Sequence, residues 1–168
     1  SSMLFGMDYC YPMGYSSSVY IKEYDQIRYL NYIMNDLCEK NKDIILVGSQ
    51  SGTIPYDTGN VKLFNSTQFH FLMGTLMVNP FDDFSYIQRT KAFIESSVRC
   101  KVLSIVIFPV DLKKNWSGIY GKKNILSDDA LNKLKKSLSE YLEVPIFALG
   151  NDNDMDKLVD IVIDYFVQ

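Results

Sequence analysis

Val102–Phe108 reads VLSIVIF, an apolar, β-branched run interrupted only by Ser104. Pro109 follows it and a basic, polar stretch begins soon after. It is the clearest strand in the sequence. Two further segments have the same character: Thr75–Asn79 (TLMVN), closed by Pro80, and Ile146–Leu149, led by Pro145. Ile44–Val47, within KDIILVG, is a continuous, β-branched apolar run that suits a strand buried on both faces, as parallel sheets require, and gives a fourth expected strand.

Amphipathic stretches separate these runs. Glu23–Lys40 sets Ile27, Leu30, Met34, Leu37 and Cys38 along one helical face. Asp82 and Asp83 open a helix to about Val98, with Phe84, Ile87, Ile94 and Val98 inward. Ser127 caps a third helix carrying Leu131, Leu134, Leu138 and Tyr141. Asn151–Asp154 caps a fourth, lined by Leu158, Ile161, Val162 and Tyr165. Strands followed by helices imply parallel strands joined by right-handed crossovers. The expected fold is α/β: a three-layer sandwich around a mainly parallel, Rossmann-like sheet of about four to five strands. No linker or repeat divides residues 1–168, which read as a single α/β domain.

Composition narrows the function without naming it. The 168 residues are 47% hydrophobic, which excludes disorder, and 17 basic against 20 acidic side chains leave a net charge of -3. That balance argues against a general nucleic-acid binder and against a polybasic membrane-surface protein. No signal peptide is legible at the start, and no apolar run nears the roughly 20 residues that span a bilayer. Cys10, Cys38 and Cys100 are widely spaced and form no CxxC pair, so a reducing, cytoplasmic compartment is expected.

Ligands of open parallel sheets bind outside the carboxyl ends of the strands. Four loops are placed there: Gly48–Asp57, Asn79–Asp83, Pro109–Lys123 and Gly150–Asp154. In the first, Gly48, Ser49, Gln50, Ser51 and Gly52 offer backbone N–H groups and hydroxyls to a ligand, with Asp57 nearby. The loop is neither a GxxxxGK[ST] nor a GxGxxG motif. In the third, Lys113 and Lys114 bring charge, and Trp116 and Tyr120 lie between them and Lys122–Lys123. Tyr56, Trp116 and Tyr120 are the candidate partner-binding residues. His70 sits among Phe69, Phe71 and Leu72 and reads as a packed side chain. A Ser–His–Asp set from Ser49 or Ser51, His70 and Asp57 lacks the GxSxG elbow. The aspartates 152, 154 and 156 lack the Gly and terminal Glu of a calcium loop, so no metal site is expected.

The strand-loop ILVGSQSGTIPYDTG (45–59), with LFGMDYCYPM (4–13) and IKEYDQIRYLN (21–31) before it, resembles accessory proteins encoded with clostridial ribosomal-peptide maturation clusters, alongside radical enzymes. The order SGTIPYDTG, TLMVN, VLSIVIF, ILSDDALNKLKKSLSEYLEVP and IFALG is also similar to P-loop proteins of the dethiobiotin-synthetase type. Two departures matter: Gly48 stands where that second likeness places Glu, and the Walker-type loop would lie upstream of Ser1. The resemblance therefore implies the C-terminal part of a longer protein whose first strand and P-loop precede this sequence. It implies an accessory domain that binds a precursor peptide or a peptide-maturation enzyme and is not catalytic by itself. The alternative it carries is an ATP-dependent ligase or acyl-transfer enzyme using ATP and magnesium, with Ser49–Gly52 on phosphate or substrate and Lys113 or Lys114 neutralising charge.

Overall fold

A computed structural model describes residues 8–9, 22–42, 44–48, 73–112 and 123–167. The chain divides between His70 and Phe71 into two units, and each is taken by itself.

In the first unit, α1 spans Glu23–Glu39. Its interior holds neither Gly nor Pro, and its apolar residues recur at helical spacing. Leu30 and Met34 form a small buried cluster, with Ile27 and Ile45 packed against it. Ile33 is also buried. Cys38, expected in this core, is exposed. It lies at the border of the arc centred on Leu30, in the helix's last turn, where Ile33 fills the opposite border instead. Asn41 ends the helix with a left-handed φ of 47°.

The strand expected at Ile44–Val47 is not formed. These residues are irregular, and Ile44, Leu46 and Val47 are exposed, with only Ile45 reaching the α1 cluster. An apolar run becomes a strand only where a ladder satisfies its backbone groups, and this one has no such partner among the described residues.

The second unit runs β1 (Met73–Val78), α2 (Phe84–Ser97), β2 (Lys101–Ile107), β3 (Val110–Leu112), β4 (Lys123–Ile125), α3 (Asp128–Leu142), β5 (Ile146–Ala148) and α4 (Asp152–Val167). It is a mixed α/β unit whose three-stranded sheet has the order β1-β2-β5, both pairings parallel. VLSIVIF, read as a strand, supplies the central one; Ile105 and Ile107 are fully buried. The core joins Val78, Ile87, Ile105, Ile107, Leu138, Leu142 and Ile146. Each such side chain contributes roughly 1.5–3 kcal/mol relative to exposure. The register slips between Gly74 and Thr75, leaving Leu103 as the extra residue of β2, and Thr75 and Ser104 hydroxyls meet at 3.0 Å.

Caps fix the helix starts. The Asp83 carboxylate accepts the N–H groups of Ser85 (2.8 Å) and Tyr86 (3.3 Å) at the head of α2. Ser127 Oγ accepts from Ala130 at α3, and Asn151 Oδ1 accepts from Asp154 at α4. Tyr141, read as inward, is instead 44% exposed; Leu142 takes the buried place, and the Tyr141 hydroxyl meets Gln88 Oε1 at 3.2 Å. The polar stretch Asp111–Leu126 is not all loop. Val110, Asp111 and Leu112 pair antiparallel with Ile125, Asn124 and Lys123. Two three-residue strands of mixed polarity carry too little periodicity to be read alone.

Candidate functional site

The parallel register Val78↔Ile107↔Ala148 aligns the next residues, Asn79, Phe108 and Leu149, in one row at the carboxyl edge of the sheet. Pairing persists to that edge: Phe108 N–H donates to the Val78 carbonyl and Leu149 N–H to the Ile107 carbonyl, both at 2.9 Å. This rim is where a parallel sheet presents ligands to its loops.

Each loop leaves the rim differently. After β1, the Asn79 N–H donates to Asp82 Oδ2 (2.7 Å) and the Asp82 N–H returns a bond to the Asn79 carbonyl (3.1 Å), closing a tight turn. That turn holds Phe81 54% exposed. After β2, Phe108 is exposed, and the Leu126 N–H donates to the Pro109 carbonyl, tying the β3–β4 ribbon to the strand end. After β5, Leu149 is exposed and Gly150 turns the chain at φ 83°, a left-handed value that glycine adopts without strain.

Asp82, Asp83 and Asp154 on this rim are engaged in structure. Asp83 is held below the usual carboxylate range, chiefly by the Ser85 hydroxyl and then by the backbone N–H groups of Ser85 and Tyr86. It is a stable anion rather than a proton donor at neutral pH. Asp154, buried beneath the β5 turn, accepts from the Ala148 N–H and from Lys135. Cys100 is buried, and that burial raises its thiol pKa, so it is a poor nucleophile. Among the described residues no group of three or more His, Cys, Asp or Glu is arranged to hold a metal ion. What the rim does present is apolar: Phe81, Phe108 and Leu149 follow the three parallel strands, one on each. Such side chains can cover apolar groups of a ligand and exclude water from them.

Of the residues singled out in the sequence, Gly48 is described: it is exposed, ends the irregular segment 44–48, and has open space around its Cα. Ser49, Gln50, Ser51, Gly52, Tyr56, Asp57, His70, Lys113, Lys114, Trp116 and Tyr120 lie outside the described residues. The loops Asn79–Asp83 and Gly150–Asp154 do fall at the carboxyl edge, as the topology rule predicted. The apolar row was not anticipated. Its signal is positional: Phe108 and Leu149 are the first residues beyond their strands, where an apolar side chain has no sheet to cover.

Elsewhere in this unit, α2 and α3 enclose an open groove of about 420 Å³ lined by Gln88, Lys91, Ala92, Tyr141, Leu142 and Glu143. Lys91 is paired there with Glu95 at 3.0 Å. No helix of the described residues is long and apolar enough to cross a membrane. No protein family, curated protein or solved structure matches this chain.

Proposed function

We propose that this chain is an accessory, partner-binding α/β domain that assists maturation of a ribosomally made peptide and is not catalytic by itself. The observation that carries this reading is the exposure of Phe81, Phe108 and Leu149 after the three parallel strands, where Asp82 closes a turn and Asp83 caps α2. Side chains of this kind favour adhesion to a partner. The resemblance of residues 4–13, 21–31 and 45–59 supplies the peptide-maturation context. On this reading the full fold is a three-layer, Rossmann-like sandwich of four to five strands. Val102, Ser104, Val106 and Phe147 support it: they are buried in alternation with the core cluster, and α4 packs on β2 and β5. Free Cys38 and Cys100 thiols agree with a cytoplasmic setting.

The test is calorimetric. Precursor peptides and radical maturation enzymes of clostridial ribosomal-peptide clusters are titrated into the purified chain and into Phe108→Ser and Leu149→Ser variants. Saturable binding that weakens about tenfold or more in either variant, a loss of about 1.4 kcal/mol, supports the reading. Silence with every such partner overturns it. Saturable binding of ATP with magnesium, lost when Ser51 and Gly52 are replaced by bulky residues, overturns it in favour of the ligase.

A further inference from the structure

The last helix carries more apolar surface than the sheet covers. Met155, Leu158, Ile161, Val162 and Tyr165 are half-buried, as a helix packed on β2 and β5 requires. Beside them, Val159 is 54% exposed, Ile163 48% and Phe166 46%. Their spacing, i, i+4, i+7, places them on one side of the helix, one turn apart. This is a second apolar stripe, continuous with the buried one through Val162 and open to solvent.

Charge borders that stripe on its far side. Asp152, Asp156, Asp160 and Asp164 recur every fourth residue. Asp156 precedes Val159 by three positions and Asp160 precedes Ile163 by three, so each carboxylate neighbours an apolar residue of the stripe. The arrangement is unfavourable for the helix alone. Like charges four residues apart repel. Asp164 stands near the carboxyl terminus of α4, where the helix dipole disfavours an anion, and the last turn holds no basic residue. Lys157 is the one cation on the helix. The neighbouring α3 is built differently, with Lys136 four residues before Glu140 and their charges 4.0 Å apart. An apolar stripe beside four carboxylates and a single ammonium is complemented by apolar side chains flanked by Lys or Arg.

We infer that the outer face of α4 is a docking surface for an amphipathic helix that carries basic residues beside its own apolar stripe. Val159, Ile163 and Phe166 take the apolar side chains, and Asp156 and Asp160 take the cations. A second copy of this helix is the wrong occupant, because it would bring carboxylates to carboxylates. The surface is distinct from the apolar row at the carboxyl edge and does not depend on it.

The experiment uses the whole chain and synthetic labelled peptides of about 15 residues, long enough to form a helix on the surface. One peptide sets Leu at i, i+3, i+4, i+7 with Lys beside it; a second replaces Lys by Glu; a third scrambles the first. Fluorescence anisotropy is expected to show saturable binding of the Lys peptide, weakened by salt, and neither of the others. Ile163→Ser and the pair Asp156→Asn with Asp160→Asn should each weaken it at least tenfold. The pair Asp156→Lys with Asp160→Lys should shift preference to the Glu peptide. Phe108→Ser should leave this binding unchanged, which separates its failure from failure of the carboxyl-edge reading. Equal binding of the scrambled peptide, indifference to the α4 substitutions, or self-association through Ile163 in sedimentation would overturn the inference, as would no binding at all.

Discussion

Lys135 Nζ lies 2.5 Å from Asp154 Oδ2, joining the middle of α3 to the first turn of α4. The same carboxylate oxygen accepts the Ala148 N–H at 2.8 Å, so one buried acid ties two helices to the end of β5. The Asp154 side chain is 8% exposed and Lys135 22%. Removing the acid strands a half-buried ammonium and leaves a buried amide without an acceptor. Asp154→Ala is expected to cost about 3 kcal/mol, the lower end for breaking a buried pair because Lys135 retains some solvent. Asp154→Asn keeps an acceptor for Ala148 and should cost less. Urea unfolding followed by far-UV circular dichroism decides; equal stability of Asp154→Ala and the parent chain would refute this account.

Thr90 lies on the buried side of α2, 3% exposed, and its hydroxyl oxygen has no hydrogen-bond partner. A buried polar atom left unpaired carries its full desolvation cost. Valine has the same shape without the hydroxyl. Thr90→Val should therefore raise stability by about 1 kcal/mol. A lower midpoint in the same urea titration would mean that the hydroxyl is satisfied after all.

The thiols of Cys38 and Cys100 should separate cleanly. Cys38 is exposed, whereas Cys100 is 5% exposed, with its pKa raised by burial and further by Glu95. Iodoacetamide with peptide mapping should label Cys38 in the native chain within minutes and Cys100 only in denaturant. Equal labelling rates would contradict the burial of β2's leading edge.

Asp83 sets a pH dependence. Its folded-state pKa is depressed, so the unfolded chain takes up the proton first as pH falls. The cap's contribution is complete above the unfolded carboxylate value and is lost as pH drops through the lower folded value. The melting-temperature difference between the parent and Asp83→Asn, which caps without titrating, should be constant near neutrality and shrink between about pH 5 and pH 3. A difference that grows on acidification would reverse the sign and disprove the argument.

Much of the parallel unit was legible because each strand is a short apolar run ended by Pro or by cap residues. Its helices carry Asp83, Ser127 and Asn151 where caps are needed. The same reasoning failed at Ile44–Val47, since composition records apolarity but not the presence of a ladder partner. It failed at Cys38 by one helical position, and at β3–β4 because a three-residue pairing across a long excursion leaves no local trace. The loops Asn79–Asp83 and Gly150–Asp154 were placed at the carboxyl edge by topology alone, whereas Gly48 follows an irregular segment instead of a strand. Their exposed side chains were not, because Phe108 and Leu149 look in sequence like the last residues of buried strands. The outer stripe of α4 was hidden the same way: Val159 and Ile163 merge with the inward residues beside them.

The order β1-β2-β5 also bears on how the chain emerges from a ribosome. The central strand is finished at Ile107, but its second neighbour begins only at Ile146. Until then a nascent chain holds Ile105 and Ile107 on an open edge, beside a partner strand on one side only. The two-stranded precursor is marginal, and its uncovered edge is a site for mispairing with other chains. Synthesis therefore passes through an interval of some forty residues, a few seconds at ordinary elongation rates, in which one edge of the central strand stays unpaired.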